Sequence, residues 1–157
     1  MNPFEDLHKL CIQKNFSIAT AESCTSGSLA SGITSVSGAS SFFKGGVIAY
    51  QNDIKINFLG VSKSIIREKT EVCLDVVEQM AEGVRNKFFS DFSIATSGYA
   101  GPTGGTKLNP IGTVFIAISS KDRTISKRFL FKGDRDNIVS EAVLAGIRFL
   151  YLELKNS

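Results

Sequence analysis

Ser17-Ile18-Ala19-Thr20-Ala21-Glu22-Ser23-Cys24-Thr25 decides how this chain is read. Residues 17–21 form a short strand, Glu22-Ser23-Cys24-Thr25 closes it as a polar turn, and the small residues of 26–36 read as a closely packed helix stopping before Gly38. The pattern is strand, polar turn, helix, and it recurs. Gly46-Val47-Ile48-Ala49-Tyr50 is a second strand, followed by a brief helix that Asn52 or Asp53 can cap and that carries Lys55 and Phe58. Ser62 or Ser64 can open another short helix. Upstream, Phe4, Leu7, Leu10 and Cys11 recur at helical spacing behind Asn2-Pro3, a cap and a residue suited to a first turn. Downstream, Val72, Val76, Val77, Met80, Ala81 and Val84 mark the apolar stripe of a longer helix, and residues 91–97 follow as a strand. A glycine-rich loop, Gly98-Tyr99-Ala100-Gly101-Pro102-Thr103-Gly104-Gly105, leads to a strand at 112–118, with 124–131 as its antiparallel partner. Ile138, Ala142, Ala145, Phe149 and Leu152 share one face of a closing helix over 134–154. Strands alternating with helices, then a hairpin, predict an α/β protein, a three-layer α/β/α sandwich on a mixed, mainly parallel sheet.

At 157 residues the chain suits one domain, 1–157, with no linker or composition break to divide it. Hydrophobic residues at 43%, charged residues at 21% and only 3 prolines exclude disordered and collagen-like classes. Eighteen Lys and Arg against 15 Asp and Glu leave +3, and the basic residues form no run that would track a phosphate backbone, so no nucleic-acid partner is expected. Apolar runs fall far short of the roughly 20 residues that span a bilayer, and no basic region followed by an apolar block marks an export signal. A cytoplasmic protein without a membrane partner is the expectation. Cys11, Cys24 and Cys73 are odd in number and contain no CxxC pair, which suits reduced thiols. His8, the single histidine, falls on the polar side of the first helix. Imidazole-rich metal sites and serine–histidine–acid triads therefore lack their central part unless His8 folds into a site. The expectation is a protein with no metal and no cofactor. Short exposed helices and many phenylalanines suggest a homodimer.

In an open α/β sheet the ligand crevice lies beyond the carboxyl ends of the strands. Four polar clusters follow predicted strands: Glu22-Ser23-Cys24-Thr25, Gln51-Asn52-Asp53 with Lys55, the loop 97–105, and Gly133-Asp134-Arg135. The first three share a rim if their strands are parallel neighbours, and the fourth joins them only if the last strand ends there. Ser23 is either a helix cap or a nucleophile. Thr25 is the better-placed cap, which frees Ser23 to attack a carbonyl while the loop Cys24, Thr25, Ser26 and Gly27 offers N–H groups to the oxyanion. With His8 set aside, the remaining base is a lysine. Lys55 is either solvated on an amphipathic helix or, among Ile54, Ile56 and Phe58, desolvated so that its pKa falls from about 10.4 toward the 7–8 range useful near neutrality. The glycine loop is either a turn or a backbone cradle for an anion or ribose. It is not a P-loop, because Gly104-Gly105-Thr106-Lys107 runs toward Pro110 and a strand. Arg135, a cation in the first turn of a helix, opposes the macrodipole, and either a bound phosphate or Asp134 and Asp136 can offset that cost.

Taken in order, Ala21-Glu22-Ser23-Cys24-Thr25, Gly38-Ala39-Ser40, Tyr50-Gln51-Asn52 with Lys55 beyond it, Leu59-Gly60-Val61, Ser97-Gly98-Tyr99-Ala100-Gly101-Pro102 and Gly133-Asp134-Arg135 resemble the CinA C-terminal domain family. The match covers nearly the whole chain and is similar to the stand-alone form without the N-terminal molybdopterin-binding-like domain. The best-defined activity of that family is nicotinamide-nucleotide amidohydrolase, which converts nicotinamide mononucleotide to nicotinate mononucleotide and ammonia in NAD salvage, with a serine and lysine pair and no metal. The resemblance implies Ser23 as nucleophile and Lys55 as general base, with Ser40 and Tyr50 close to that pair and a small nucleotide as substrate. By position it points to Asn52, Ser97, Gly98, Ala100, Gly101, Gly104, Gly105 and Arg135 for ribose and phosphate, with Arg135 on the phosphate. The rival reading is a non-catalytic nucleotide-binding or regulatory module of the competence and damage-inducible type. Two departures stand out. Ser26 occupies the first glycine of the usual Ser-Cys-Thr-Gly-Gly, which strains the loop unless that residue is helical. Cys73 replaces the serine that commonly starts the long helix, with Thr70 or Glu71 as substitute caps.

Overall fold

A computed structural model describes residues 2–157. Its strands β1 (Ile18–Glu22), β2 (Phe43–Ile48), β3 (Phe92–Gly98), β4 (Thr113–Ser120) and β5 (Thr124–Leu130) form one sheet in the order β2-β1-β3-β4-β5. β1 pairs in parallel with β2 and β3, whereas β3–β4 and β4–β5 are antiparallel, so β4 alone runs against the others. This is the expected mixed sheet.

Alternation along the buried strands divides their side chains between two cores. Val114, Ile116 and Ile118 of β4 join Ile94, Ile138, Ile147 and Leu150 on the face covered by α1 (Pro3–Lys14), α2 (Ser28–Ile33) and α6 (Arg135–Lys155). Phe115 and Ala117 turn to the opposite core with Val76, Val77, Met80 and Val84, under α5 (Leu74–Phe88) and beside α3 (Asn52–Leu59) and α4 (Lys63–Lys69). Among the described residues, no helix is long and apolar enough to cross a membrane.

Small residues let the helices approach closely. A Cβ on Gly83 of α5 would lie 2.0 Å from the Leu59 carbonyl oxygen, so only glycine permits this crossing with the end of α3. At the other end of the sheet, Lys14 Nζ donates to the carbonyls of Leu154, Lys155 and Ser157 and closes the end of α6 with positive charge.

Several boundaries differ from the sequence reading. The helix expected over 26–36 contracts to Ser28–Ile33, because Thr34 and Ser35 turn their hydroxyls onto the carbonyls of Ala30 and Gly32 and compete with helical bonding. β2 starts earlier than expected, with Phe43 in register with Ile18, and ends at Ile48. Asn2 caps α1 by accepting from the Phe4 N–H, and Ser62 caps α4, as expected. Gln51 rather than Asn52 or Asp53 precedes α3. Cys73 precedes α5 with no side-chain cap, and neither Thr70 nor Glu71 takes that role.

Candidate functional site

β5 points the same way as β1, β2 and β3, and the pairs Gly98–Val114 and Thr113–Leu130 bring its exit beside that of β3. All four polar clusters therefore meet at one rim. They line a cavity of about 550 Å³, a size suited to a small ligand. Ser23, Cys24, Tyr50, Asn52, Lys55, Ser97, Gly98, Ala100, Gly101 and Arg135 contribute to its wall. Another cavity of about 600 Å³ lies at the opposite rim around Ser90, Arg123 and Ser157, away from these residues.

The turn after β1 is anchored by a carboxylate that sequence reasoning left without a role. Glu22, 1% exposed, accepts from the Thr25 hydroxyl at 2.7 Å and from the N–H groups of Leu29 and Ala30 at 2.8 and 3.1 Å. It caps α2 from the preceding strand, where a negative charge also suits the helix dipole. Thr25 is not the cap; its Oγ1 serves Glu22 and lies 2.8 Å from Thr96 Oγ1. Ser23 is thereby held at the cavity, with its N–H donating to the Thr96 carbonyl and its own carbonyl accepting from the Ser26 N–H. Glu22→Gln should lower the unfolding free energy by roughly 2–3 kcal/mol, since an amide puts an NH2 donor where the carboxylate has its second acceptor oxygen and one buried N–H loses its partner. Urea denaturation measures this loss.

The expected oxyanion loop is only partly at the cavity. Cys24 lines it, whereas Thr25, Ser26 and Gly27 turn away, and the Ser26 N–H is already taken by the Ser23 carbonyl. Ser26 has φ +41°, in the left-handed region rather than the helical one. The chain therefore strains a serine where glycine fits. Ser26→Gly should raise stability by about 0.5–1 kcal/mol, read from the thermal unfolding midpoint.

Lys55 sits in the first turn of α3, its N–H bonded to the Gln51 carbonyl, and its side chain is 1% exposed. The solvated alternative is excluded by that burial. Nζ donates to the Tyr50 carbonyl at 3.0 Å. Desolvation pushes the amine below its ordinary value, while the Glu71 carboxylate and then Cys24 pull the other way. In its unprotonated form the amine, with one N–H spent on the Tyr50 carbonyl, keeps its lone pair for a proton from the cavity. Burial has the opposite effect on the neighbouring thiol, pushing Cys24 up to about 12, so it stays protonated and a poor nucleophile near neutrality.

Arg135 opens α6 and ties two loops together. Its Nη1 donates to the Gly101 carbonyl at 2.7 Å and its Nη2 to the Tyr50 hydroxyl at 3.0 Å. Asp134, which sequence reasoning offered as a neutralising partner, instead caps α6 by accepting from the Asn137 N–H. The remaining guanidinium donors can meet an anion in the cavity. Ser97 lines the wall, but its hydroxyl donates to the Glu71 carbonyl and holds that segment in place.

Besides Thr25, Ser26 and Gly27, three more expected residues fall elsewhere. Ser40 lies in a single helical turn before β2, at the opposite end of that strand from Tyr50, and does not line the cavity. Gly104 and Gly105 also lie off the wall; both have positive φ angles, with Gly104 against the Tyr99 ring and Gly105 against Pro110 and Ile111. The wall includes Gln51, Glu71, Val72, Tyr99 and Thr103 besides. Glu71 and Val72 arrive from the α4–α5 connection, which follows no strand and so escapes the strand-end rule. Among the described residues, no group of three or more His, Cys, Asp or Glu is arranged to hold a metal.

A family model for the CinA C-terminal domain matches residues 3–154. The chain is 42% identical over 151 residues to a CinA-like protein of Flavobacterium psychrophilum, covering 96% of this chain and 36% of that one. It is 40% identical over 144 residues to a CinA-like protein of Fervidobacterium nodosum, covering 92% and 35%. It thus spans about a third of the length of these curated relatives. Among solved structures, competence damage-inducible protein A of Klebsiella pneumoniae superposes with a TM-score of 0.94 at 31% identity, over 98% of this chain and 95% of that one. A CinA superfamily protein of Enterobacter cloacae gives 0.92 at 33% identity, over 97% and 90%. An ordered set of motifs, a shared fold and the family match over nearly the whole chain agree: this chain belongs to the CinA C-terminal domain family.

Proposed function

We propose that the cavity hydrolyses the amide of nicotinamide mononucleotide to give nicotinate mononucleotide and ammonia. The observation that carries this reading is Lys55, a buried amine of lowered proton affinity on the same cavity wall as Ser23. In this reading the Lys55 lone pair takes the Ser23 proton as Oγ attacks the amide carbon, and a tetrahedral oxyanion forms. Of the four residues expected to form the oxyanion loop, Cys24 is the one that lines the cavity, and its N–H is assigned to the oxyanion in this reading. The C–N bond then breaks, the Lys55 ammonium supplies the proton that lets ammonia leave, and an ester to Ser23 remains. Water attacks that ester, Lys55 accepts its proton and returns one to Ser23 Oγ, and the acid is released. Arg135 and the loop at Gly98, Ala100 and Gly101, with Asn52, would hold the phosphate and ribose.

The test is incubation of the protein with nicotinamide mononucleotide while ammonia and nicotinate mononucleotide are quantified. Equal amounts of both products, catalytic in protein, are expected. Binding of the nucleotide with no ammonia released would overturn the hydrolase reading in favour of a nucleotide-binding module.

A further inference from the structure

The proposed chemistry leaves one charged side chain of the cavity without employment. Among the described residues, Glu71 is the only acid on a wall that also carries the cations Lys55 and Arg135. It is half-buried, and the ion pairs among the described residues are Lys69–Asp75 and Arg123–Glu153, so no cation stands within 4.0 Å of its carboxylate. Its position is built. The Ser97 hydroxyl donates to the Glu71 carbonyl at 2.8 Å, the Val72 N–H donates to Thr70 Oγ1, and Val72 is 2% exposed within the core beside α5. Both sides of the Glu71 backbone are thus pinned at the cavity wall, and no ion pair within 4.0 Å joins its carboxylate to Lys55.

Glu71 acts on Lys55 only through space, and a half-buried carboxylate outside any ion pair gains further attraction when a cation occupies the space in front of it. Arg135, tied to the Tyr50 hydroxyl and the Gly101 carbonyl, marks the anion-binding part of the same cavity. The wall is therefore bipolar. We propose that Glu71 is the specificity residue for a positively charged heteroaromatic ring, so that the cavity selects zwitterionic ligands, a cationic pyridinium amide carrying an anionic tail, over neutral amides. This inference rests on the proposed function for the identity of the ligand alone, not for its hydrolysis, and adds the feature that recognises its ring. The ring nitrogen of nicotinamide mononucleotide is quaternised by the ribose and carries the charge in question, whereas ribose 5-phosphate has the same tail and no ring.

Those two compounds are the probes, with binding measured by calorimetry on a Ser23→Ala background that prevents turnover. Glu71→Gln should weaken nicotinamide mononucleotide about tenfold and ribose 5-phosphate less than twofold, and Glu71→Asp should recover part of the loss. Equal weakening of both ligands would mean that Glu71 only props the loop, and unchanged nucleotide affinity would mean that it does not meet the ring; either result overturns the inference. If neither ligand binds while Glu71 is intact, the nucleotide reading falls and takes the inference with it. If binding depends on Glu71 but the wild-type protein releases no ammonia, the ring subsite stands and only the hydrolase reading fails.

Discussion

The Ser23→Ala variant is expected to release ammonia from nicotinamide mononucleotide at least about a thousandfold more slowly than the wild type while still binding the nucleotide. Removing Oγ leaves every backbone tie of the turn intact, from the Ser23 N–H on Thr96 to the Glu22 carboxylate on Leu29 and Ala30. Stability should therefore stay within about 0.5 kcal/mol of the wild type, so lost turnover cannot be ascribed to unfolding. No neighbour can stand in for the lost hydroxyl. Cys24 is adjacent, but its thiol, pushed up to about 12, offers almost no thiolate near neutrality. Thr25 is fully buried with its hydroxyl bound to Glu22. Ammonia release at an undiminished rate in Ser23→Ala would remove the acyl-enzyme from the mechanism.

Lys55 should separate activity from stability. Lys55→Met is expected to abolish turnover by about a thousandfold or more, and Lys55→Arg to be similarly inactive, because guanidinium keeps its charge and cannot accept the serine proton. In the wild type the rate should rise with pH through one ionisation below 10.5, the ordinary lysine value from which burial lowers this amine. The same shift predicts the sign of the stability change. Between the lowered pKa and 10.5 the unfolded chain holds more protons on this residue than the folded one, so unfolding free energy rises with pH across that window. Below the window the folded state bears the full penalty of a buried ammonium. Lys55→Met removes that penalty, and its unfolding midpoint at neutral pH should lie above the wild type, with the lysine contribution to the pH dependence gone. A destabilised Lys55→Met protein, or one with normal turnover, would contradict the desolvated-base assignment.

Most of the architecture was legible because it is written in short-range rules. The apolar stripe of α5, the Asn2-Pro3 opening of α1 and the alternation of β4 each follow from a local period or cap. The meeting of four loops at one rim was legible as a condition, and the direction of β5 satisfies it. What escaped detection depends on distance in the chain. Likeness of motif sets Ser40 near the pair, yet a whole strand separates it from Tyr50. Glu71 reaches the cavity from a connection between helices, through a hydroxyl on β3 whose partner no spacing rule names. Glu22 looked like a polar residue at the end of a strand; its role as a helix cap needs Leu29 and Ala30 folded back over it. Serine at position 26 was recognised as a departure, but whether it was strained depended on a backbone angle that only the folded turn defines.

α6 begins at the cavity with Arg135 and runs 21 residues to Lys155 beside the end of α1, a length of about 31 Å at the usual helical rise. Its two ends consequently belong to different environments of the molecule. A fluorophore or a surface tether joined beyond Ser157 would hang from the face remote from the ligand, so immobilised protein would present an unobstructed mouth to nucleotide in solution.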